Sequence, residues 1–223
     1  MRLLDRLSRE NNRDYTLRLL KENIISLDLA PGCQVSEAEL AAQLGLSRTP
    51  VREALIELSK VGIVMITPQK PSVVASIDEK LVEEALFLRK VLECSVVELV
   101  CGTAAPQDIA HLEEIIQLQS FYLGRNSLDQ LLLTDNQFHE LLFHIAQKDH
   151  IHALTQNFSI HFDRVRRMSL DSVENLKIIE DHSSILAAIR ENRPSLAREL
   201  MQMHLSRYKV DVAAIREKYP QYF

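Results

Sequence analysis

Residues 46–55 read LSRTPVREAL, and the ten residues before them read SEAELAAQLG. Ser36, with Glu39 three residues on, forms a capping box that opens a short helix whose apolar residues are Leu40, Ala41 and Leu44. Gly45 is placed to end that helix, because glycine takes the positive φ of a tight turn at little cost. Ser47 is placed to cap the next helix, and Pro50 falls in its first turn, where a missing N–H leaves no intrahelical bond unmade. Val51, Ala54, Leu55 and Leu58 form the inner stripe of this second helix, while Thr49 and Arg52 point well away from it and Arg48 lies at its start.

Working outward, residues 14–28 carry Leu17, Leu20, Ile24 and Leu27 at helical spacing before LAPGC stops the pattern. After Gly62 the period becomes that of extended chain: IVMIT, a turn at PQK and PSVVAS read as a β-hairpin. Three helices and a hairpin predict a winged helix-turn-helix over residues 1–77. From Asp78, placed to cap the next helix, the pattern is helical to the end. Breaks at GTAAP, LGRNS, QKDH, SLDS and NRPS divide residues 78–223 into about six helices, near 78–103, 107–123, 128–147, 151–168, 173–191 and 194–217. The fold class is therefore mainly α, a winged helix followed by an all-α bundle.

Charge follows the same division. Residues 1–76 hold 10 Lys and Arg against 9 Asp and Glu, and residues 77–223 hold 16 against 22. A chain of net charge −5 can still bind nucleic acid when its cations cluster on one face. A recognition helix enters the major groove N-terminus first, where arginine can donate two hydrogen bonds to guanine. Arg48 and Arg52 suit that role, with Ser47, Thr49 and the free first-turn amides placed for phosphate. Gln69 and Lys70 at the hairpin tip could reach a neighbouring phosphate or the minor groove. The plain alternative is a solvated helix face on which Glu53 and Glu57 balance the arginines.

The opening residues lack the apolar core of a signal peptide, and no apolar run reaches the length of a membrane span, so a cytoplasmic location with no membrane partner is expected. Three cysteines without CxxC spacing read as reduced thiols rather than a disulfide framework or a zinc thiolate site.

In the helical part, TDNQFHELLFHIA puts Asp135 and His139 at i and i+4 on one helix face, close enough to share a ligand. His144 is expected to face elsewhere. His182 in EDHSSILAAI and His204 in LMQMHLSRY flank NRPS at roughly equal distance, so two adjacent antiparallel helices can bring both imidazoles to one level. One carboxylate and three imidazoles suit a divalent ion, zinc ahead of nickel or manganese, with positions left for an anionic ligand. Any one of these histidines could equally be a core or surface residue, and His111, His150, His152 and His161 have no comparable partners. Arg164, Arg166 and Arg167 could line an anion pocket or be solvated or paired with nearby acids.

SEAELAAQLGLSRTPVREALIELSKVGIV resembles the DNA-binding signature of the GntR family of bacterial transcription regulators. The resemblance implies a winged helix that binds palindromic double-stranded operator DNA as a homodimer, with contacts from Arg48, Thr49 and Arg52 and with Ser47 alongside. Ala38 stands where some members carry an operator-contacting arginine, and Gln69 stands where the wing often has glycine. The C-terminal half resembles the FCD effector domain of the FadR-type subgroup, which in many members binds a metal through D-x3-H and two later histidines, matched here by Asp135, His139, His182 and His204. Its first helix often carries R-x3-E, matched by Arg89 and Glu93; Arg89 could turn its guanidinium towards a metal-bound carboxylate or form a structural ion pair. FDRVRRMSLD is similar to RspR-like members associated with sugar-acid metabolism.

A ligand-responsive repressor that senses a small carboxylate, such as a sugar acid, is the expected function. The alternative is a metal-dependent small hydrolase or lyase with an accessory DNA-binding domain. A third reading, a bundle that binds acyl-CoA without metal, is disfavoured by retention of all four metal-type residues.

Overall fold

A computed structural model describes residues 1–172 and 177–223. The chain divides into two compact units, Met1–Glu79 with Tyr219–Phe223, and Lys80–Lys218.

The first unit opens with α1 (Asn12–Ile25), whose start is fixed by the Asn11 side chain accepting from the Asp14 N–H at 2.9 Å. The helix begins two residues earlier than its apolar pattern predicts and ends three earlier, before Leu27 at φ 69°. Two residues of strand β1 (Gln34–Val35) precede α2 (Glu37–Leu44) and α3 (Arg48–Lys60). The expected devices recur between those helices. Ser36 Oγ accepts from Glu39 N–H, and Gly45 takes φ 62°, ψ 33° with its N–H turned back to the carbonyls of Ala41 and Ala42. Ser47 sits at the N-cap in extended conformation, but its side chain makes no capping bond, which corrects the expected cap.

The hairpin is present as β2 (Val64–Met65) and β3 (Ser72–Val74), antiparallel, with Val64 opposite Val74 and Met65 opposite Val73. Strand β1 adds to the other edge of β3, Gln34 opposite Val73, giving the order β1-β3-β2. Sequence analysis missed β1 because a two-residue strand carries no periodicity. Leu19, Leu20, Val51, Leu55, Leu58, Ile63 and Val74 form a dry core in which α1 packs on α3. The last five residues close this unit, with the Ile77 N–H donating to the Tyr222 carbonyl at 2.7 Å.

The second unit is built from α4 (Glu79–Thr103), α5 (Pro106–Gly124), α6 (Leu128–Ile145), α7 (Asp149–Ser172), α8 (Ile178–Arg190), α9 (Pro194–Ser206) and α10 (Tyr208–Lys218). Seven helices stand among the described residues where about six were expected, because the predicted helix 194–217 is interrupted at Arg207. The start predicted at 173 lies outside the described residues, as do residues 173–176 generally. Helix α5 packs on α6 and α8, α8 on α9, and α7 on α6 and α10. All three cysteines are free, Cys94 and Cys101 buried on α4. Among the described residues no helix is long and apolar enough to cross a membrane.

Candidate functional site

The interior of the helical unit is not uniformly apolar. Arg89, Glu93, Gln119, Asp135, His139 and His182 are all buried there. Buried charge is costly unless it is paired or holds a ligand, so this concentration needs a local explanation.

Asp135 and His139 lie one helical turn apart on α6, His182 near the start of α8 and His204 near the end of α9. Their donor atoms all lie within 4.8 Å of one another. His204 Nε2 is 3.3 Å from both His139 Nε2 and His182 Nε2; Asp135 oxygens are 3.9 Å from His139 Nε2 and 3.5 Å from His182 Nε2. A tetrahedral ion with bonds of about 2.0–2.1 Å separates its ligands by about 3.3–3.4 Å, so the set has the spacing a divalent ion requires.

The outer nitrogens decide the tautomers. Gln119 Nε2 donates to the Thr134 carbonyl at 3.1 Å, which leaves its Oε1 to accept from His182 Nδ1 at 2.9 Å. His204 Nδ1 faces Asp181 Oδ2 at 3.2 Å, and His139 Nδ1 lies 2.6 Å from Glu93 Oε2. His182 and His204 thus each turn an Nδ1 proton to an acceptor, which leaves their Nε2 lone pairs facing the Nε2 of His139. Asp135 Oδ1 is likewise buried without a hydrogen-bond donor among the described residues. A cation satisfies all four atoms at once, and carboxylates behind its histidines are the support such a site uses.

Electrostatics reinforce the arrangement. Burial holds His182 well below the usual histidine range, with the facing His204 and His139 acting in the same direction. Burial also pushes His204 down to about 4, although Asp181 opposes it. Both rings are therefore neutral at pH 7, the form that ligates metal. Burial acts to raise the Glu93 carboxyl, but Arg89 and His139 together outweigh it and hold Glu93 well below the carboxylate range.

Beside the cluster, α4, α6 and α7 line a cavity of about 430 Å³ reached by Arg89, Glu93, His139 and Arg166. Arg89 Nε donates to Glu93 Oε1 at 2.6 Å, while its Nη1 is buried without an acceptor among the described residues. Both guanidinium groups lie near the Phe162 ring, Arg89 at 5.2 Å and Arg166 at 6.0 Å. Arg166 also bonds Asp163 Oδ1 at 2.7 Å and Asn136 Oδ1 at 2.8 Å and pairs with Asp135. Asn136, Thr155, Gln156 and Ser159 add polar groups to the wall.

The structure thus brings the four expected ligands together and sets Arg89 and Glu93 next to them. Sequence reasoning left Arg166 undecided and missed Gln119 and Asp181. Arg167 pairs with Asp129 at 2.9 Å, and Arg164 is fully buried near His161 rather than in the cavity wall. His144 faces away, exposed and bonded to Asp149 at 2.9 Å.

In the first unit, Ser47, Arg48, Thr49 and Arg52 are exposed around the start of α3, and Gln69 (φ 62°) and Lys70 are exposed at the hairpin tip. Glu57 pairs with Arg13 at 3.1 Å and Lys60 at 2.9 Å. Among the described residues neither Arg48 nor Arg52 has an ion-pair partner.

Residues 15–74 match the model of bacterial regulatory proteins of the gntR family, and residues 84–207 match that of the FCD domain. The chain belongs to the GntR family. This GntR chain is 34% identical over 218 residues to an uncharacterized HTH-type transcriptional regulator in an unstable DNA locus of Streptomyces ambofaciens, covering 96% of this chain and 90% of that one. It is 30% identical over 207 residues to the HTH-type transcriptional repressor RspR of Escherichia coli K12, covering 92% and 91%. The solved structure of E. coli McbR/YncC shares its fold with a TM-score of 0.80 at 21% identity, over 94% of this chain and 99% of that one. The matched families and relatives are transcription regulators, not enzymes, which overturns the hydrolase or lyase alternative. The GntR chain is a DNA-binding transcription regulator with an FCD domain.

Proposed function

We propose that this regulator is a cytoplasmic homodimeric repressor that binds a palindromic operator and releases or retains it according to a small carboxylate, of sugar-acid type, bound beside a divalent metal. The observation that carries the reading is the convergence of three Nε2 atoms and the orphaned Asp135 Oδ1 at the edge of a cavity holding two guanidinium groups. Asp135, His139, His182 and His204 hold the ion, zinc ahead of nickel or manganese. The ion supplies a Lewis-acid anchor for a carboxylate, which Arg89 Nη1 is free to meet as a charge-assisted donor. Asn136, Thr155, Gln156 and Ser159 suit the hydroxyl groups of a sugar acid.

In the first domain, taken as residues 1–77, Arg48 and Arg52 read base edges, Ser47 and Thr49 contact phosphate, and Gln69 and Lys70 reach DNA from the wing. The absence of a capping bond at Ser47 leaves its hydroxyl available for that contact. The helical unit, Lys80–Lys218, carries the sensing and dimerising function. The exposed stripe of Phe87, Val91 and Leu99 on α4 supports self-association, since apolar residues repeated along one helix face mark a partner surface. Ligand changes operator affinity by its differential affinity for two arrangements of the dimer.

Metal analysis of untagged protein tests the reading: about one ion per chain is expected, and a His182→Ala/His204→Ala variant loaded to the same level would refute the ligand set.

A further inference from the structure

The three imidazoles are backed by three different lines of contact. Behind His139, Glu93 leads to Arg89 and the cavity; behind His182, Gln119 leads to the α6 main chain. Behind His204, Asp181 leads to Arg207, whose Nε and Nη2 donate to Asp181 Oδ2 and Oδ1, each at 2.5 Å. This last line ends where the helix predicted over 194–217 is broken.

Nothing in the covalent chain explains that break. Residues 200–218, LMQMHLSRYKVDVAAIREK, contain neither glycine nor proline, the usual causes of interruption. Ser206 bonds back to the Gln202 carbonyl, but Ser95, Ser159 and Ser184 make the same i−4 bond inside unbroken helices. Arg207 itself keeps near-helical dihedrals, φ −60° and ψ −31°. A small backbone change therefore separates the interrupted form from a continuous α9–α10 helix, and Asp181 clasps the residue at the interruption through both carboxylate oxygens. Beyond it, α10 packs on α7 and Lys218 pairs with Asp171 at 2.8 Å, after which Tyr219–Phe223 belongs to the DNA-binding unit and bonds Ile77.

We propose that Asp181 and Arg207 are positioning residues that carry occupancy of the metal site to the α9–α10 junction, and through α10 to the C-terminal segment closing the winged-helix unit. The inference rests on the metal-site reading and concerns its regulation. A metal on His204 Nε2 fixes the ring and strengthens its Nδ1–H contact to Asp181, which orders the carboxylate for Arg207. Loss of the metal frees His204 and Asp181, and the junction relaxes towards continuous helix. The coupling needs one element with two arrangements, which the breaker-free junction provides.

The test uses the full chain, stripped with chelator and titrated with zinc alone, and reads the amide exchange of Ile77 and of residues 207–218. In the wild type, zinc slows Ile77 exchange by about tenfold, within the range usual for coupled sites. Arg207→Gln binds zinc within about threefold of the wild type, because the substituted side chain bonds Asp181 rather than a proposed ligand atom, yet zinc leaves its Ile77 exchange unchanged; Arg207→Lys recovers part of the response. Wild-type protein that binds zinc with no change at Ile77, or Arg207→Gln that responds fully, overturns the inference alone. Protein that takes up no zinc overturns the metal-site reading and the inference together.

Discussion

His139 and Glu93 are held 2.6 Å apart, Nδ1 to Oε2, while the other oxygen of the same carboxylate accepts from Arg89 Nε at 2.6 Å. One buried acid thus lies against both a proposed metal ligand and a cavity arginine. This explains why R-x3-E on α4 and D-x3-H on α6 belong to a single site although they are more than forty residues apart.

Glu93→Gln keeps the shape but removes the charge. Zinc affinity is expected to fall about 10–100-fold, the usual effect of losing support behind a ligand. Stability should fall by about 3–5 kcal/mol, because Arg89 is left buried without its counter-charge. Competition with a chromophoric chelator and urea unfolding measure the two effects, and unchanged zinc affinity would remove Glu93 from the metal's support.

Acid should destabilise the metal-free protein. His204 titrates near 4 in the folded state and near its ordinary 6.5 when unfolded, so between those values the unfolded chain binds the extra proton. Stability is therefore fully present above pH 6.5 and is lost as pH falls towards 4, by on the order of 2 kcal/mol between pH 6.5 and 4.5. His182, also depressed, adds in the same direction. Urea unfolding of His204→Asn should show a shallower acid slope than the wild type; equal slopes would mean that His204 is not the titrating group.

Local features were legible and tertiary ones were not. The Ser36–Glu39 cap, the Gly45 turn and the first-turn Pro50 are decided within a few residues, so the helix-turn-helix could be read directly. Strand β1 depends on pairing Gln34 with Val73, a partner nearly forty residues away, and the Arg207–Asp181 clasp joins the end of α9 to α8. Gln119 did leave a signal. It continues the buried stripe Leu112, Ile115, Ile116 at helical spacing, and a polar residue on such a stripe must find a partner inside. Arg166 left none, since three nearby arginines in FDRVRRM look alike until Asp135, Asn136 and Asp163 select one.

Gly45→Ala tests the turn between α2 and α3. An added Cβ meets nothing within 4 Å, so the cost is that of a side chain at φ 62° rather than a clash. Chemical unfolding should show a loss of about 1–2 kcal/mol, and a neutral result would mean the turn relaxes out of the left-handed region.

Arg52→Ala and Lys70→Ala separate base reading from phosphate contact. Both side chains are exposed, so stability should stay within about 0.5 kcal/mol of the wild type. Arg52→Ala should weaken binding to a duplex selected from a random pool by about 1–3 kcal/mol and relax preference at one base position. Lys70→Ala should weaken all sequences alike and lower the slope of log affinity against log salt by about one. Titrations at several salt concentrations against selected and scrambled duplexes distinguish them. Arg52 leaves the reading face if its removal changes only the salt slope, because a group that reads bases must change the ratio between sequences and not merely the common electrostatic attraction.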